Sequence, residues 1–332
     1  MSTSGSPALP GGITVGRDVL PMAGSLFNLA RKVLIITDDG VPERYSRAVF
    51  DCCPDASVYV IPHGERNKTL GTVGAILSEL LSQGFTRGDA LVAVGGGMTG
   101  DITGFAAACY QRGIDWYNVP TTLLSQVDAS VGGKTGVNVD GVKNIAGAFH
   151  HPCGVLIDTA TLETLPPRIY AEGMAEVIKM AATSDAALFS RLESGPVPDE
   201  ELVRSALAIK MDIVQRDPTE KGERAVLNFG HTVGHAIEAA GAGQYYHGEA
   251  VAAGMPYFCS PAMAARLEAL LRRFGLPVSD PFSPETLMHY ASRDKKHSAS
   301  GYKTVWVSAP GSYRFRTLTA DELRQVIENH KK

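Results

Sequence analysis

Three glycines between a short apolar run and a helix of small residues constrain this chain more than any other feature. Residues 91–94, Leu-Val-Ala-Val, have the length of a buried strand. Gly95, Gly97 and Gly100 follow in the spacing G-x-G-x-x-G, and residues 102–109, small and apolar, read as a helix packed close against that strand. A strand, a glycine turn and a helix make a phosphate cradle: glycine lets the backbone approach an anion, and the first N–H groups of the helix point at it. With 35 glycines in the chain, the spacing alone fits a plain tight turn equally well. The acid that ordinarily follows about 20 residues later to bind ribose hydroxyls is missing, because Val119-Pro120-Thr121 stands there. Asp38, at the end of the apolar run 33–37, is the acid that replaces it.

Runs 33–37 and 57–61 read as further buried strands, with helical pattern over 42–52 and 70–83. Strands alternating with helices predict a doubly wound parallel sheet that takes its ligand at the carboxyl ends of the strands. Asp38, Glu65, Lys68 and the glycine loop all fall at such ends. From about Leu165 the texture changes. Pro166-Pro167 marks the boundary, and helical periodicity covers 171–192, 199–215, 230–240 and a further segment from 247 to 255. A strand at 303–308 and a helix over 319–329, with a Thr319/Glu322 capping box, close the chain. The expected fold is an α/β N-terminal nucleotide-binding domain with a Rossmann-like parallel sheet over 1–164, followed by an all-α C-terminal domain over 165–332.

Length and charge narrow the function. A chain of 332 residues suits two domains. A net charge of -4 gives no drive toward nucleic acid or an anionic membrane surface. Five cysteines, an odd count with no C-x-x-C pair, fit a reducing cytoplasm. The apolar runs are too short to span a bilayer, and the Ser-, Gly- and Pro-rich first dozen residues read as a loose tail rather than a signal peptide.

A second constellation lies in the helical half. His231 and His235 stand four apart in residues 230–238, Gly-His-Thr-Val-Gly-His-Ala-Ile-Glu, so they share a helical face, and His247-Gly-Glu follows. Upstream, Glu176 and Lys179 share one face of an otherwise apolar helix, where a carboxylate is costly unless paired or metal-bound. Imidazoles and a carboxylate converging from helices suit Zn²⁺ with an open position, His231 and His235 being first candidates as joint ligands. The spacing is not H-E-x-x-H, which disfavours a metalloprotease. Cations crowd these motifs: Arg112, Lys134, Lys143, Lys179, Lys210, Arg224, Lys295 and Lys296. A substrate carrying both carboxylate and phosphate would need such a crowd.

These residues resemble the 3-dehydroquinate synthase family of the sugar-phosphate cyclase superfamily. The resemblance runs from about Ile13 to the C-terminal helix, through GGGMTGD (95–101), YQRG (110–113), VPTTLLSQVDASVGGKTGVN (119–138), KNIAGAFHHP (143–152), TLPPR (164–168), GMAEVIK (173–179), NFGHTVGHAIEA (228–239), HGEAVAAGM (247–255) and RDKK (293–296). It implies a dehydroquinate synthase-like fold. It implies NAD held at Asp38, Glu65, Lys68, Gly96, Gly97, Met98, Asp101, Thr121, Thr122 and Lys143. It implies Zn²⁺ or Co²⁺ on Glu176, His231 and His247, so that His235 passes from the metal to the substrate. Asp128, Lys134, Asn144, Lys179, Lys210, Arg224, Asn228, His235 and Lys296 (or its neighbour Lys295) match the substrate shell. Arg112 matches an arginine that reaches the neighbouring subunit's site in a homodimer. The implied reaction turns a seven-carbon keto-acid phosphate into a carbocycle by transient oxidation, loss of phosphate, reduction and an intramolecular aldol step, with NAD regenerated.

Two departures stand out: Pro256 and Pro261 interrupt the segment after His247, where the family pattern suggests longer helices, and the N-terminus is brief. Rival readings are a sister cyclase, such as an amino-dehydroquinate, deoxy-inosose or valiolone synthase, and a metal-dependent polyol dehydrogenase on the same plan. The dehydrogenase would need fewer cations and would consume NAD. A non-catalytic binding module explains neither the metal set nor the cations. Removing Lys134 or Arg224, read here as exposed cations, is expected to leave the fold intact.

Overall fold

The structure, a computed structural model, describes residues 12–217, 222–293 and 301–331, together with the backbone of 297 and 298. It divides into two compact units, residues 1–165 and 166–332.

The first unit is built on β1 (Ile13–Gly16), α1 (Ala23–Leu26), β2 (Lys32–Asp38), α2 (Glu43–Phe50), β3 (Asp55–Ile61), α3 (Leu70–Ser82), β4 (Ala90–Gly95), α4 (Gly97–Cys109), β5 (Asp115–Pro120), β6 (Lys134–Val139), β7 (Val142–Phe149) and β8 (Gly154–Asp158). Six strands form one parallel sheet in the order β1-β8-β5-β4-β2-β3. A parallel sheet covered on both faces needs apolar side chains on both, so its central strands read as unbroken apolar runs. Successive residues of these runs go to opposite sides. Leu34, Ile36, Leu91 and Ala93 join Ile76, Leu80, Ile102 and Ala106 of α3 and α4, whereas Val33, Ile35, Val92 and Val94 join Phe27, Tyr45 and Val49. The doubly wound reading is what these two cores make.

Two local outcomes differ from the sequence expectation. Helix α4 begins at Gly97, one residue after β4, so of the three glycines Gly95 ends the strand and Gly97 and Gly100 lie within the start of the helix instead of preceding it. β6 and β7 form an antiparallel hairpin that the sequence reading passed over. Its turn, Asp140-Gly141, has φ of 49° and 78°. Asp-Gly supplies the two positive φ values that such a two-residue turn requires.

The second unit contains α5 (Pro167–Ser184), α6 (Ala186–Ser194), α7 (Asp199–Arg216), α8 (His231–Ala240), α9 (His247–Gly254), α10 (Pro261–Arg273), α11 (Pro284–Ala291), β9 (His297–Ser298), β10 (Gly301–Ala309), β11 (Ser312–Leu318) and α12 (Ala320–His330). The helical reading holds for the body of this unit. To it the structure adds a three-stranded antiparallel sheet in the order β11-β10-β9, so the unit is not built of helices alone. The expected helix over 171–192 is two helices, because Asp185 leaves helical geometry and its carboxylate accepts from the N–H groups of Ala187 and Leu188. Pro256 lies in a 3-10 turn after α9, and Pro261 opens α10 behind the N-cap Ser260. Both prolines therefore stand at helix boundaries, where the missing N–H does no harm.

Candidate functional site

The glycine loop shapes one end of the parallel sheet. Gly96 is the N-cap of α4, in extended conformation, and Gly97 and Met98 form its first turn. The backbone leaves β4 and enters the helix with no residue to spare, which puts free helical N–H groups at the strand end. Asp38 sits beside this turn, 8% exposed, and takes a hydrogen bond from Thr99 Oγ1 (2.6 Å) on one oxygen and from the Gly40 N–H (3.1 Å) on the other. The Thr121 N–H donates to the Gly95 carbonyl at 2.9 Å, and Thr122 Oγ1 accepts from the Ser125 N–H at 3.2 Å. Lys68, 4% exposed, reaches Asp101 Oδ2 of α4 at 2.5 Å. Thus Asp38, Lys68, Gly96, Gly97, Met98, Asp101, Thr121 and Thr122 are gathered around the ends of β2, β4 and β5.

The hairpin is fastened to the same region by Asn138. Its side chain donates to Glu65 Oε1 (2.8 Å) and accepts from the Asn144 N–H (2.9 Å), and its own N–H donates to the Lys68 carbonyl (2.9 Å). Glu65, Lys143 and Asn144 are exposed, as is Lys134 at the start of β6. Asn144 has a φ of 49°. Asp128 lies in a short π-helical turn, Ser125–Ala129. Arg112 is exposed on a turn after α4 in which Gln111 and Arg112 both have positive φ, 47° and 69°. Two consecutive non-glycine residues in that region cost about 1 kcal/mol each, a strain that tends to collect where a side chain must be aimed.

In the second unit, α5 packs against α7, α9 and the 3-10 turn Glu223–Asn228, and α8 packs against α9. Two of these contacts are made backbone to backbone. A Cβ at Gly248 would lie 2.2 Å from the Glu172 carbonyl oxygen of α5, and one at Gly254 would lie 2.3 Å from the Gly230 carbonyl oxygen and 2.6 Å from the Gly234 nitrogen. This close seating brings His247, at the start of α9, to Glu176 of α5 and to His231 and His235 of α8. Each of the three histidines places a ring nitrogen within 4.8 Å of the others. Glu176 Oε1 stands 4.0 Å from His231 Nε2 and 3.9 Å from His247 Nε2.

Glu176 is 1% exposed, and neither of its oxygens accepts a hydrogen bond from the described residues, although the Lys179 ammonium forms an ion pair with Oε2. A buried carboxylate without hydrogen bonds is costly, and a cation between it and the imidazoles removes that cost. The remaining ring nitrogens are already directed: His231 Nδ1 lies 3.1 Å from the Phe229 carbonyl, and His247 Nδ1 lies 3.2 Å from Glu238 Oε2. Both Nε2 atoms face Glu176 Oε1. One carboxylate oxygen and two or three imidazole nitrogens suit Zn²⁺ or a similar divalent metal, so the residues fit the group. Burial pulls the His247 imidazole down, but the hydrogen bond and charge of Glu238, with the charges of Glu176 and Glu172, hold its pKa above the ordinary value. Burial pushes the Glu172 carboxyl up.

The cations of this unit are not a solvated crowd. Lys179, Lys210 and Arg224 are 2%, 5% and 5% exposed, and the reading of Arg224 as an exposed cation is corrected. The Arg224 N–H donates to the buried carboxylate of Asp217 at 3.0 Å. Asn228 and His235 are half-buried. Lys295 and Lys296 lie outside the described residues. The sequence reading quoted Asn138 and Glu238 within motifs but gave them no part, and left out Glu172. The hydrogen bonds of Asn138 and Glu238 cross turns, which no local spacing signals.

Comparison with known proteins follows the same two halves. Residues 58–172 match the family described as 3-dehydroquinate synthase N-terminal, and residues 173–297 that described as 3-dehydroquinate synthase C-terminal. A 3-dehydroquinate synthase of Shewanella denitrificans is 44% identical over 323 residues, 90% of each chain. One of Shewanella loihica is 44% identical over 343 aligned positions, 95% of each chain. Among solved structures, a 2-deoxy-scyllo-inosose synthase complexed with carbaglucose-6-phosphate, NAD+ and Co2+ superposes with a TM-score of 0.86 at 28% identity over 96% of each chain. A 2-epi-5-epi-valiolone synthase of Streptomyces hygroscopicus with NAD+ and Zn2+ bound superposes with a TM-score of 0.88 at 26% identity over 99% of each chain.

Proposed function

Since this chain belongs to the 3-dehydroquinate synthase family, we propose that it cyclises 3-deoxy-D-arabino-heptulosonate 7-phosphate to 3-dehydroquinate with release of phosphate. That makes it a phosphorus–oxygen lyase of the shikimate pathway and of aromatic amino acid biosynthesis. The observation that carries the reading is the convergence of buried Glu176 and His231 with half-buried His247, His235 beside them, in a unit that also buries Lys179, Lys210 and Arg224.

Residues 1–164 act as the NAD-binding domain and residues 165–332 as the metal- and substrate-binding domain. Asp38, Glu65, Lys68, Gly96, Gly97, Met98, Asp101, Thr121, Thr122 and Lys143 hold NAD. Glu176, His231 and His247 hold the metal, a zinc or cobalt ion. Bound NAD supplies a hydride acceptor that is restored within the cycle, and the bound metal supplies Lewis acidity at a substrate oxygen. The chain's own residues do the rest. Lys134, Lys179, Lys210 and Lys296 place positive charge on the phosphate and carboxylate, and the Arg224 guanidinium adds a planar fork that grips two anionic oxygens together. Asp128, Asn144, Asn228 and His235 orient hydroxyl groups and hold the flexible intermediate in one conformation. Restraint of that kind matters more here than a strong base, and the departing phosphate can itself take up the proton.

The enzyme works in the cytoplasm as a homodimer. All five cysteines are free, and no helix among the described residues is long and apolar enough to cross a membrane. The strained turn holding Arg112 supports its assignment to the neighbouring subunit's site. The test is turnover of the keto-acid phosphate with NAD⁺: phosphate is released with no steady rise in NADH absorbance, whereas stoichiometric NADH refutes the cyclase and favours a polyol dehydrogenase. In the same assay Arg112→Ala subunits mixed with Lys134→Ala subunits recover activity. Heterodimers that form without recovery would remove Arg112 from the neighbour's site.

A further inference from the structure

Glu238 ends the histidine motif on α8 and is not among the metal donors. Its side chain is 11% exposed, and its Oε2 meets His247 Nδ1 at 3.2 Å across the turn that joins α8 to α9. The opposite ring nitrogen of His247, Nε2, is the one that lies 3.9 Å from Glu176 Oε1. A neutral imidazole carries one proton, so a carboxylate that accepts at Nδ1 leaves the lone pair on Nε2.

We propose that Glu238 is a positioning residue that fixes the tautomer and ring direction of His247 and strengthens it as an Nε2 ligand; the inference rests on the metal reading given above. His231 supplies the internal contrast. Its Nδ1 is met by the Phe229 carbonyl, a neutral acceptor fixed in the backbone. One histidine is therefore oriented by the main chain. The other is oriented by an ionisable side chain that makes the ring a better electron donor and adds negative charge near the ion. His247 is the ligand that needs this help. Both histidines open their helices, but the His247 side chain is 33% exposed, against 10% for His231.

The test uses the full-length chain freed of metal and titrated with Co²⁺, read by competition with a coloured chelator and by the visible absorption of the bound ion. Glu238→Gln keeps the size and a neutral acceptor, and is expected to weaken Co²⁺ binding by roughly 10–100-fold and to change the visible spectrum. Glu238→Ala weakens binding at least as much. The melting temperature of the metal-free protein is expected to stay near that of the unaltered chain for Glu238→Gln. Unchanged Co²⁺ affinity in Glu238→Gln, with His247→Ala clearly weakened, overturns this inference alone. Unchanged affinity in His247→Ala overturns the metal reading itself. A metal-free melting temperature that falls enough to account for the lost binding assigns Glu238 to the fold and also overturns the inference.

Discussion

The charged side chains proposed to meet NAD and those proposed to meet the metal are treated in opposite ways by their own units. At the strand ends of the first unit the charges are answered from within: Lys68 by Asp101, Asp38 by Thr99 and the Gly40 N–H, Glu65 by Asn138. What remains to offer is backbone, the N–H groups at the start of α4. In the second unit Glu176 is more deeply buried than any of these acids; the Lys179 ammonium pairs with its Oε2, but Oε1, the oxygen facing the imidazoles, accepts no hydrogen bond from the described residues. The first arrangement is complete before a ligand arrives. The second is completed by one. A dinucleotide is large and can be gripped along its length by many small contacts, whereas an ion offers one point and needs donors held open for it.

The largest effect that sharpens this contrast is expected at Glu176. Structural zinc binding of about 10–16 kcal/mol, shared over four ligands, assigns roughly 2.5–4 kcal/mol to each. Glu176→Gln should thus lose metal affinity by roughly 100-fold or more in a chelator competition. His235→Ala, in contrast, should keep its metal and lose turnover. If metal analysis finds His235→Ala as empty as His231→Ala, the second histidine belongs with the ligands.

A second effect separates the cations by burial. Arg224→Ala should cost about 3 kcal/mol or more in a denaturant titration, because charges and dipoles arranged about a buried guanidinium are left unbalanced. Lys134→Ala, at the exposed start of β6, should stay within about 0.5 kcal/mol while still losing activity. Equal stability losses in the two would break the division between the units' cations.

A third effect, the smallest in net terms once both partners are replaced, concerns Lys68 and Asp101, whose side chains are 5% and 20% exposed. Lys68→Met alone should destabilise by about 3 kcal/mol, and Asp101→Leu added to it should recover most of that loss. NAD affinity should fall in both the single and the double variant. Recovery of NAD binding along with stability would show that the pair serves the sheet and not the cofactor.

Much of this was legible in the chain. Alternating runs announce the sheet, the glycines announce the passage from β4 into α4, and the i, i+4 histidines announce the face on which the imidazoles gather. The strand ends could be read because a parallel sheet of this kind brings its carboxyl ends, and so Asp38 and the glycine loop, to one edge; that β2 lies directly beside β4, with β3 outside, came from the structure. Burial of Arg224 could not, since nothing within a turn of it is unusual. Glu238 shares a face with His235 in sequence, but the bond it makes is to His247, on the next helix. The Asp140-Gly141 pair is visible in the sequence, but the hairpin it closes was not read.

The seam at Gly254 has a consequence for how this enzyme can change. The atoms that would obstruct a side chain there are the Gly230 carbonyl oxygen and the Gly234 amide nitrogen, which every amino acid would present in the same place. No second substitution on a neighbouring side chain can make room. A lineage that acquired alanine at this position could be rescued only by moving a whole helix, and with it the histidines that helix carries. The position is thus closed to gradual change, and the spacing between the histidine helices is inherited as a unit.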